Sequence, residues 1–133
     1  MATSPSICPT LLYEDAKAAI SLLKDAFGFT EISVYEGGDG SVLHAELSFG
    51  GGTVMLGSAG RGGAFAEAMA GGGPAGVYVV VDDVDAHHAR AAERGVEILM
   101  PPTDQDYGSR DYMARDAEGN VWSFGTYAPG SAG

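Results

Sequence analysis

The 133-residue sequence holds a single cysteine, Cys8, so it can form no internal disulfide, and a reducing cytoplasm is the expected compartment. Basic residues are scarce: seven Lys and Arg stand against 18 Asp and Glu, for a formal charge of −11. Phosphate backbones are held by clustered Lys and Arg, so the composition argues against nucleic acid as a partner. The same acidic surplus serves solubility, and it would also steer a cationic ligand inward. Long apolar runs are missing too. The longest covers residues 77–81, far short of what a helix needs to cross a bilayer, so no membrane role is expected. Residues 1–5 carry neither a basic stretch nor an apolar segment and do not read as a secretory signal. No nucleophile elbow or zinc-finger spacing occurs, and the glycines at 60–63 lack the strand-turn-helix setting of a phosphate loop.

What the sequence does contain is a repeat. Asp15 opens a helical stretch closed by Gly28, and Asp83 opens one closed by Gly95; the starts lie 68 residues apart and the ends 67. Gly52-Thr53-Val54-Met55-Leu56 overlies Gly119-Asn120-Val121-Trp122-Ser123, again at 67. A near-constant offset across separate landmarks points to duplication of one supersecondary unit.

The first unit reads as a strand at 7–13, a helix capped by Asp15, then strands at 30–35, 42–49 and 53–57. In the third of these strands Leu43, Ala45, Leu47 and Phe49 take one face, and Val42, His44, Glu46 and Ser48 take the other. Residues 58–75 are glycine-rich and read as a linker around a short helix-capable piece at 65–70. The second unit opens with a continuously apolar run at 76–81, read as a buried strand. A helix capped by Asp82 or Asp83 follows, then a strand at 96–100 broken by Pro101-Pro102. A polar loop at 104–109 leads into a hairpin of 110–115 and 120–127, turned by Asp116 and Gly119. The expectation is an α+β fold in one domain: a βαβββ module at 6–57, the linker at 58–75, a second βαβββ module at 76–127 and a disordered tail at 128–133.

With HAEL at 44–47, VYVVVDDVDA at 77–86, PPTDQDYGSRDY at 101–112 and RDAEGNVWSFGTY at 115–127, the chain resembles the vicinal oxygen chelate superfamily. That superfamily groups glyoxalases, bleomycin-resistance proteins and extradiol dioxygenases, and the likeness is to its small bacterial glyoxalase-like members. The resemblance implies two modules whose sheets curl into a shared, open, barrel-like cup with the helices outside. In metal-dependent members it implies one ligand on the first strand of each module and a Glu on the last strand of each. Aligned on the helix caps and the shared glycines, those positions hold Cys8, Gly76, Leu56 and Ser123. Gly76 and Leu56 offer no donor, Ser123 is a poor one and Cys8 would be alone, so no metal and no cofactor is expected.

Several polar and aromatic residues remain as ligand-binding candidates. His44 and Glu46 share a strand face and suit either acid–base work, a grip on a cationic group, or a structural hydrogen-bonded pair. Tyr107, Arg110 and Tyr112 fall in a segment that resembles a cavity rim, and Tyr78 alternates with Gly76 and Val80. Aromatic walls with few polar groups favour flat or cationic ligands. Cys8, Leu56 and Ser123 join them as cup-lining positions, whereas His87, His88, Trp122 and Phe124 read as structural. The leading expectation is a metal-free binder that sequesters a small aromatic or cationic compound, without turnover. The alternative is a metal-dependent lyase, isomerase or dioxygenase of the glyoxalase kind, built around His44, Glu46 and Cys8; a third reading makes the His44–Glu46 pair the base of a metal-free enzyme. A small molecule is the expected partner and a homodimer the expected assembly, with modules paired within one chain or across two.

Overall fold

A computed structural model describes residues 5–129, so residues 1–4 of the stretch read as carrying no secretory signal and residues 130–133 of the tail expected at 128–133 lie outside the described residues. The chain divides between Gly73 and Pro74 into two compact units. The first contains β1 (Thr10–Tyr13), α1 (Ala16–Asp25), β2 (Thr30–Glu36), β3 (Val42–Phe49), β4 (Gly52–Ser58) and the short α2 (Ala64–Met69). The second contains β5 (Gly76–Val80), α3 (Val84–Glu93), β6 (Glu97–Asp104), β7 (Arg110–Arg115) and β8 (Val121–Gly125). Each unit carries one open four-stranded sheet, ordered β1-β4-β3-β2 in the first and β5-β8-β7-β6 in the second. The first strand of each pairs in parallel with the last, and the other pairings are antiparallel. These are two βαβββ modules. No helix among the described residues is long and apolar enough to cross a membrane.

The helices start and stop for local reasons. Asp15 accepts the Ala18 amide at 3.1 Å and Asp83 accepts the Ala86 amide at 3.0 Å, each satisfying a donor that the first helical turn leaves unpaired. Gly28 and Gly95, at φ of 80° and 82°, take the left-handed turn that ends each one. α1 then lays Ala16, Ile20 and Leu23 on Leu11, Ala45, Leu47, Val54 and Leu56, all buried. In the second unit Trp122, Phe124, Tyr112 and Ala114 form the corresponding core with Val84 and Ala91 of α3. His87 of α3 lies against Phe124 at a ring separation of 4.3 Å, and its Nδ1 meets the Tyr112 hydroxyl at 2.6 Å. Sheet packing on a helix thus fixes one face of each sheet as core.

Three features of the strands differ from the sequence reading. Val42 is buried and Leu43 is 45% exposed, the reverse of the simple alternation. Tyr35 pairs with His44 but Glu36 pairs with Val42, so Leu43 is an extra residue on β3 and the side chains switch faces there. β5 is apolar throughout yet buries neither Tyr78 nor Val80, because it lies at the edge of its sheet. β6 runs straight through Pro101-Pro102 to Asp104. It too is an edge strand, interrupted by register shifts against β7, where a missing N–H costs no ladder bond.

Burial of Tyr112 raises its phenol above the ordinary value of 10.0. A raised folded value means the contribution is complete below the unfolded value and is lost as pH climbs through the folded one. Stability should therefore fall from about pH 10 upward, and the fall should be shallower in Tyr112→Phe. Denaturant midpoints measured at neutral and alkaline pH for both proteins check this; parallel slopes would refute it.

Candidate functional site

Each sheet has a second face, turned away from its helix, and strand register decides which side chains stand on it. In the second sheet Tyr78 and Met113 both flank Ser123, and Val80 and Asp111 both flank Gly125. Trp122 and Phe124 take the opposite, helix-facing side, so Tyr78, Ser123, Met113 and Asp111 share the outer face. Ser109 and Tyr107 enter it from the loop before β7, and Tyr127 from the segment after β8.

These residues form one connected cluster. Asp111 is only 9% exposed; its carboxylate accepts the Ser109 hydroxyl at one oxygen and the Tyr107 hydroxyl, at 3.0 Å, at the other. Ser109 also accepts the Tyr127 amide at 3.2 Å. Tyr78 donates its hydroxyl to the Tyr127 carbonyl at 2.7 Å. The rings of Tyr107 and Tyr127 meet edge to face, 6.1 Å between centroids. The cluster closes only because residue 125 is glycine. A Cβ there would overlap the Asp111 carboxylate and stand 2.6 Å from the Tyr78 hydroxyl. Both outer phenols are made harder to ionise, Tyr107 chiefly by its hydrogen bond to the Asp111 carboxylate and Tyr78 chiefly by burial. At neutral pH Tyr78 and Tyr107 are therefore neutral donors, the first to the Tyr127 carbonyl and the second to Asp111.

The sequence candidates divide accordingly. Tyr78, Tyr107 and Ser123 stand on this outer face. Arg110 does not: it bridges α3 and β6 through Asp85 at 2.9 Å and Asp104 at 3.0 Å, which lower the Asp85 carboxyl and raise the guanidinium. Tyr112 does not either, being buried under α3 beside Phe124. Both were expected at a cavity rim; alternation from Asp111 sends Arg110 and Tyr112 to the helix side. Leu56 is a third correction. It is 1% exposed among the core residues, and Met55, paired with Thr10 and Glu46, takes the outer position. Asp111, Ser109 and Tyr127 escaped the sequence reading. The Ser-x-Asp spacing, in phase with Met113 and opposite Gly125, is the signal that could have found them.

In the first unit His44 and Glu46 lie on the face away from α1, with Nε2 and Oε2 2.8 Å apart and Tyr35 stacked on the imidazole at 6.3 Å. Both side chains are partly exposed. Cys8 precedes β1, with its sulfur 4.0 Å from the Pro5 carbonyl. With Met55 in place of Leu56, the positions that the resemblance assigns to metal ligands hold Cys8 and Met55 in the first unit and Gly76 and Ser123 in the second. Among the described residues no group of three or more His, Cys, Asp and Glu is placed to hold a metal ion. Neither unit's pair of residues fits a divalent transition metal.

Two βαβββ modules, each with a helix on one sheet face and a polar or aromatic outer face, define the fold class shared by glyoxalases and bleomycin-resistance proteins. The profile of the Glyoxalase/Bleomycin resistance protein/Dioxygenase superfamily matches residues 8–124, and the chain belongs to that family. An uncharacterized protein of Mycobacterium bovis is 34% identical over 125 residues, spanning 91% of this chain and 82% of that one. Among solved structures, TioX from Micromonospora sp. ML1 is 32% identical with a TM-score of 0.79, covering 93% of this chain and 99% of its own. TnmS3, an antibiotic binding protein from Streptomyces sp. CB03234, is 26% identical with a TM-score of 0.69, covering 93% of this chain and 96% of its own.

Proposed function

We propose that this protein is a metal-free binder that sequesters a small aromatic or cationic compound and breaks no bond in it. The observation that carries this reading is the replacement of every metal-ligand position by Cys8, Gly76, Met55 and Ser123, of which only the lone thiol is a strong donor. The likeness to TnmS3, an antibiotic binding protein, supports a ligand of antibiotic size. Tyr78, Tyr107 and Ser123 are the binding residues we assign, and we place the protein in the cytoplasm as a homodimer.

Native mass spectrometry before and after adding Ni²⁺ or Zn²⁺ tests the absence of a metal role, and the same spectra report the assembly. The expected result is a dimer that keeps no stoichiometric metal through dialysis. Calorimetry against a panel of aromatic and cationic antibiotics should then give saturable binding with the ligand recovered unchanged. Retained metal, or conversion of the ligand, would sink the reading.

A second reading has one observation in its favour, the 2.8 Å contact between His44 and Glu46. An imidazole and carboxylate so close form an acid–base pair, which an enzyme of this family could use. Both groups are solvated, and exposed pairs contribute about 0–1 kcal/mol. His44→Ala should therefore change stability by less than about 1 kcal/mol and leave ligand affinity unchanged. A turnover activity lost in His44→Ala would move the assignment to the enzyme.

A further inference from the structure

Asp111 presents an unbalanced account. A carboxylate can accept about four hydrogen bonds, and this one receives two, both from neutral hydroxyls. Burying a charge without a counter-charge is costly, and the usual remedy is a cation within contact distance. Among the described residues no Lys, Arg or His pairs with Asp111. The arginines of its own strand are committed elsewhere, Arg110 to Asp85 and Asp104 and Arg115 to Glu97. Three tyrosines stand around it, and Tyr107 and Tyr127 keep at least half their surface exposed. An alkylammonium group is recognised by direct charge pairing with a carboxylate, and tyrosine rings standing beside that carboxylate add the attraction of their quadrupoles. Gly125 lets the Asp111 carboxylate and the Tyr78 hydroxyl converge on the outer face, where any Cβ would displace them.

We infer that Asp111, with Tyr78, Tyr107 and Tyr127 as walls, is a subsite for the ammonium group of a protonated or methylated amine. This rests on the binding function proposed above and deepens it: of the aromatic and cationic classes, the outer face of the second sheet selects ligands that carry an amine. Ser109 and Tyr107 hold the carboxylate in place by donating to it, leaving its remaining lone pairs for the ligand's N–H groups. The surplus of 18 acidic over seven basic residues favours arrival of such a ligand.

The test uses the full chain labelled with 3-fluorotyrosine and two probes of equal shape, benzylammonium and the neutral benzyl alcohol. Fluorine NMR titrations should show saturable shifts at Tyr78, Tyr107 and Tyr127, with benzylammonium bound about tenfold tighter than the alcohol. In Asp111→Asn, which keeps an acceptor for a hydroxyl, the two probes should bind alike. Tyr127→Leu, at an exposed ring, should weaken benzylammonium several-fold with the fold intact, and it guards against Asp111→Asn failing to fold. Equal affinities in the wild-type protein, a preference that survives Asp111→Asn, or no shift at the three tyrosines would each overturn the subsite. Failure of the binding function looks different, since retained metal or ligand turnover would appear whatever the ratio of these two probes.

Discussion

Asp116→Ala should lose about 3–4 kcal/mol of unfolding free energy, the largest stability change expected from any single polar substitution in this chain. The carboxylate is buried at the β7–β8 turn and works as a hub. One oxygen accepts the Glu118 and Asn120 amides, each at 3.0 Å; the other accepts Asn120 Nδ2 at 3.1 Å and the Trp122 indole N–H at 3.0 Å. Hydrogen bonds to a charged group contribute about 1.5–3 kcal/mol each, and they do not add because the donors share one acceptor. Alanine would remove the acceptor of the Trp122 indole N–H, and that ring lies wholly inside the core. The loss would spread, because the Asn120 side-chain Oδ1 in turn accepts the Ala75 amide at 2.9 Å and so secures the start of β5. Urea unfolding should report a lower midpoint at an unchanged slope. Asp116→Asn, which keeps one acceptor, should fall between the two; a loss below about 1 kcal/mol for the alanine variant would mean the hub is solvated in solution.

The turn chemistry that makes Asp116 structural also explains what could be read from the sequence. The duplication, the two capping aspartates and the order of elements were legible, because caps and helix-ending glycines leave marks at fixed local spacing. The outer faces were less so. Gly52 and Gly119 align at 67 residues, yet they play different parts: β3 and β4 are joined by residues 50–51 alone, β7 and β8 by residues 116–120. Gly52 opens a strand, whereas Gly119 belongs to the turn at φ 93°. Burial gives the true offset. Val54 and Leu56 match Trp122 and Phe124, all in their cores, at 68. One residue of slip moves a side chain from one face to the other, and that alone put Leu56 on the ligand side and hid Met55.

The second group of misses has a different cause. Arg110 and Tyr112 look like ligand residues by type, a cation and an aromatic in a loop-proximal segment. Residue type carries no information about face on a six-residue strand. Asp111, between them, was invisible because an acidic residue in an acidic chain attracts no notice until its burial is known. The core pair Trp122 and Phe124 had already fixed the phase of β8, and antiparallel pairing would have carried that phase to β7. Partner strand and register, which no local pattern reveals, were the missing terms.

Gly125→Ala should bring benzylammonium and benzyl alcohol to equal affinity, a loss of about tenfold for the amine. The substitution adds one methyl group, but it lands where the Asp111 carboxylate and the Tyr78 hydroxyl already are. Both groups must swing away, breaking the bonds from Ser109 and Tyr107 and the bond from Tyr78 to the Tyr127 carbonyl. Overpacking of this kind costs about 1–3 kcal/mol, less than the loss at Asp116, so the variant should fold and remain testable. Gly76→Ala supplies the comparison. It lies on the same face, two residues before Tyr78 on β5, and a Cβ there meets nothing within 4 Å. It should keep the preference for the amine and, by restricting the unfolded chain, hold or slightly raise stability. The two alanines thus separate crowding of the outer face in general from displacement of one carboxylate. If Gly125→Ala still prefers the amine as strongly as the wild-type protein, the cation is held somewhere other than at Asp111. If both variants lose the preference together, the whole outer face of the second sheet, and not the cluster above Gly125, is what the ligand reads.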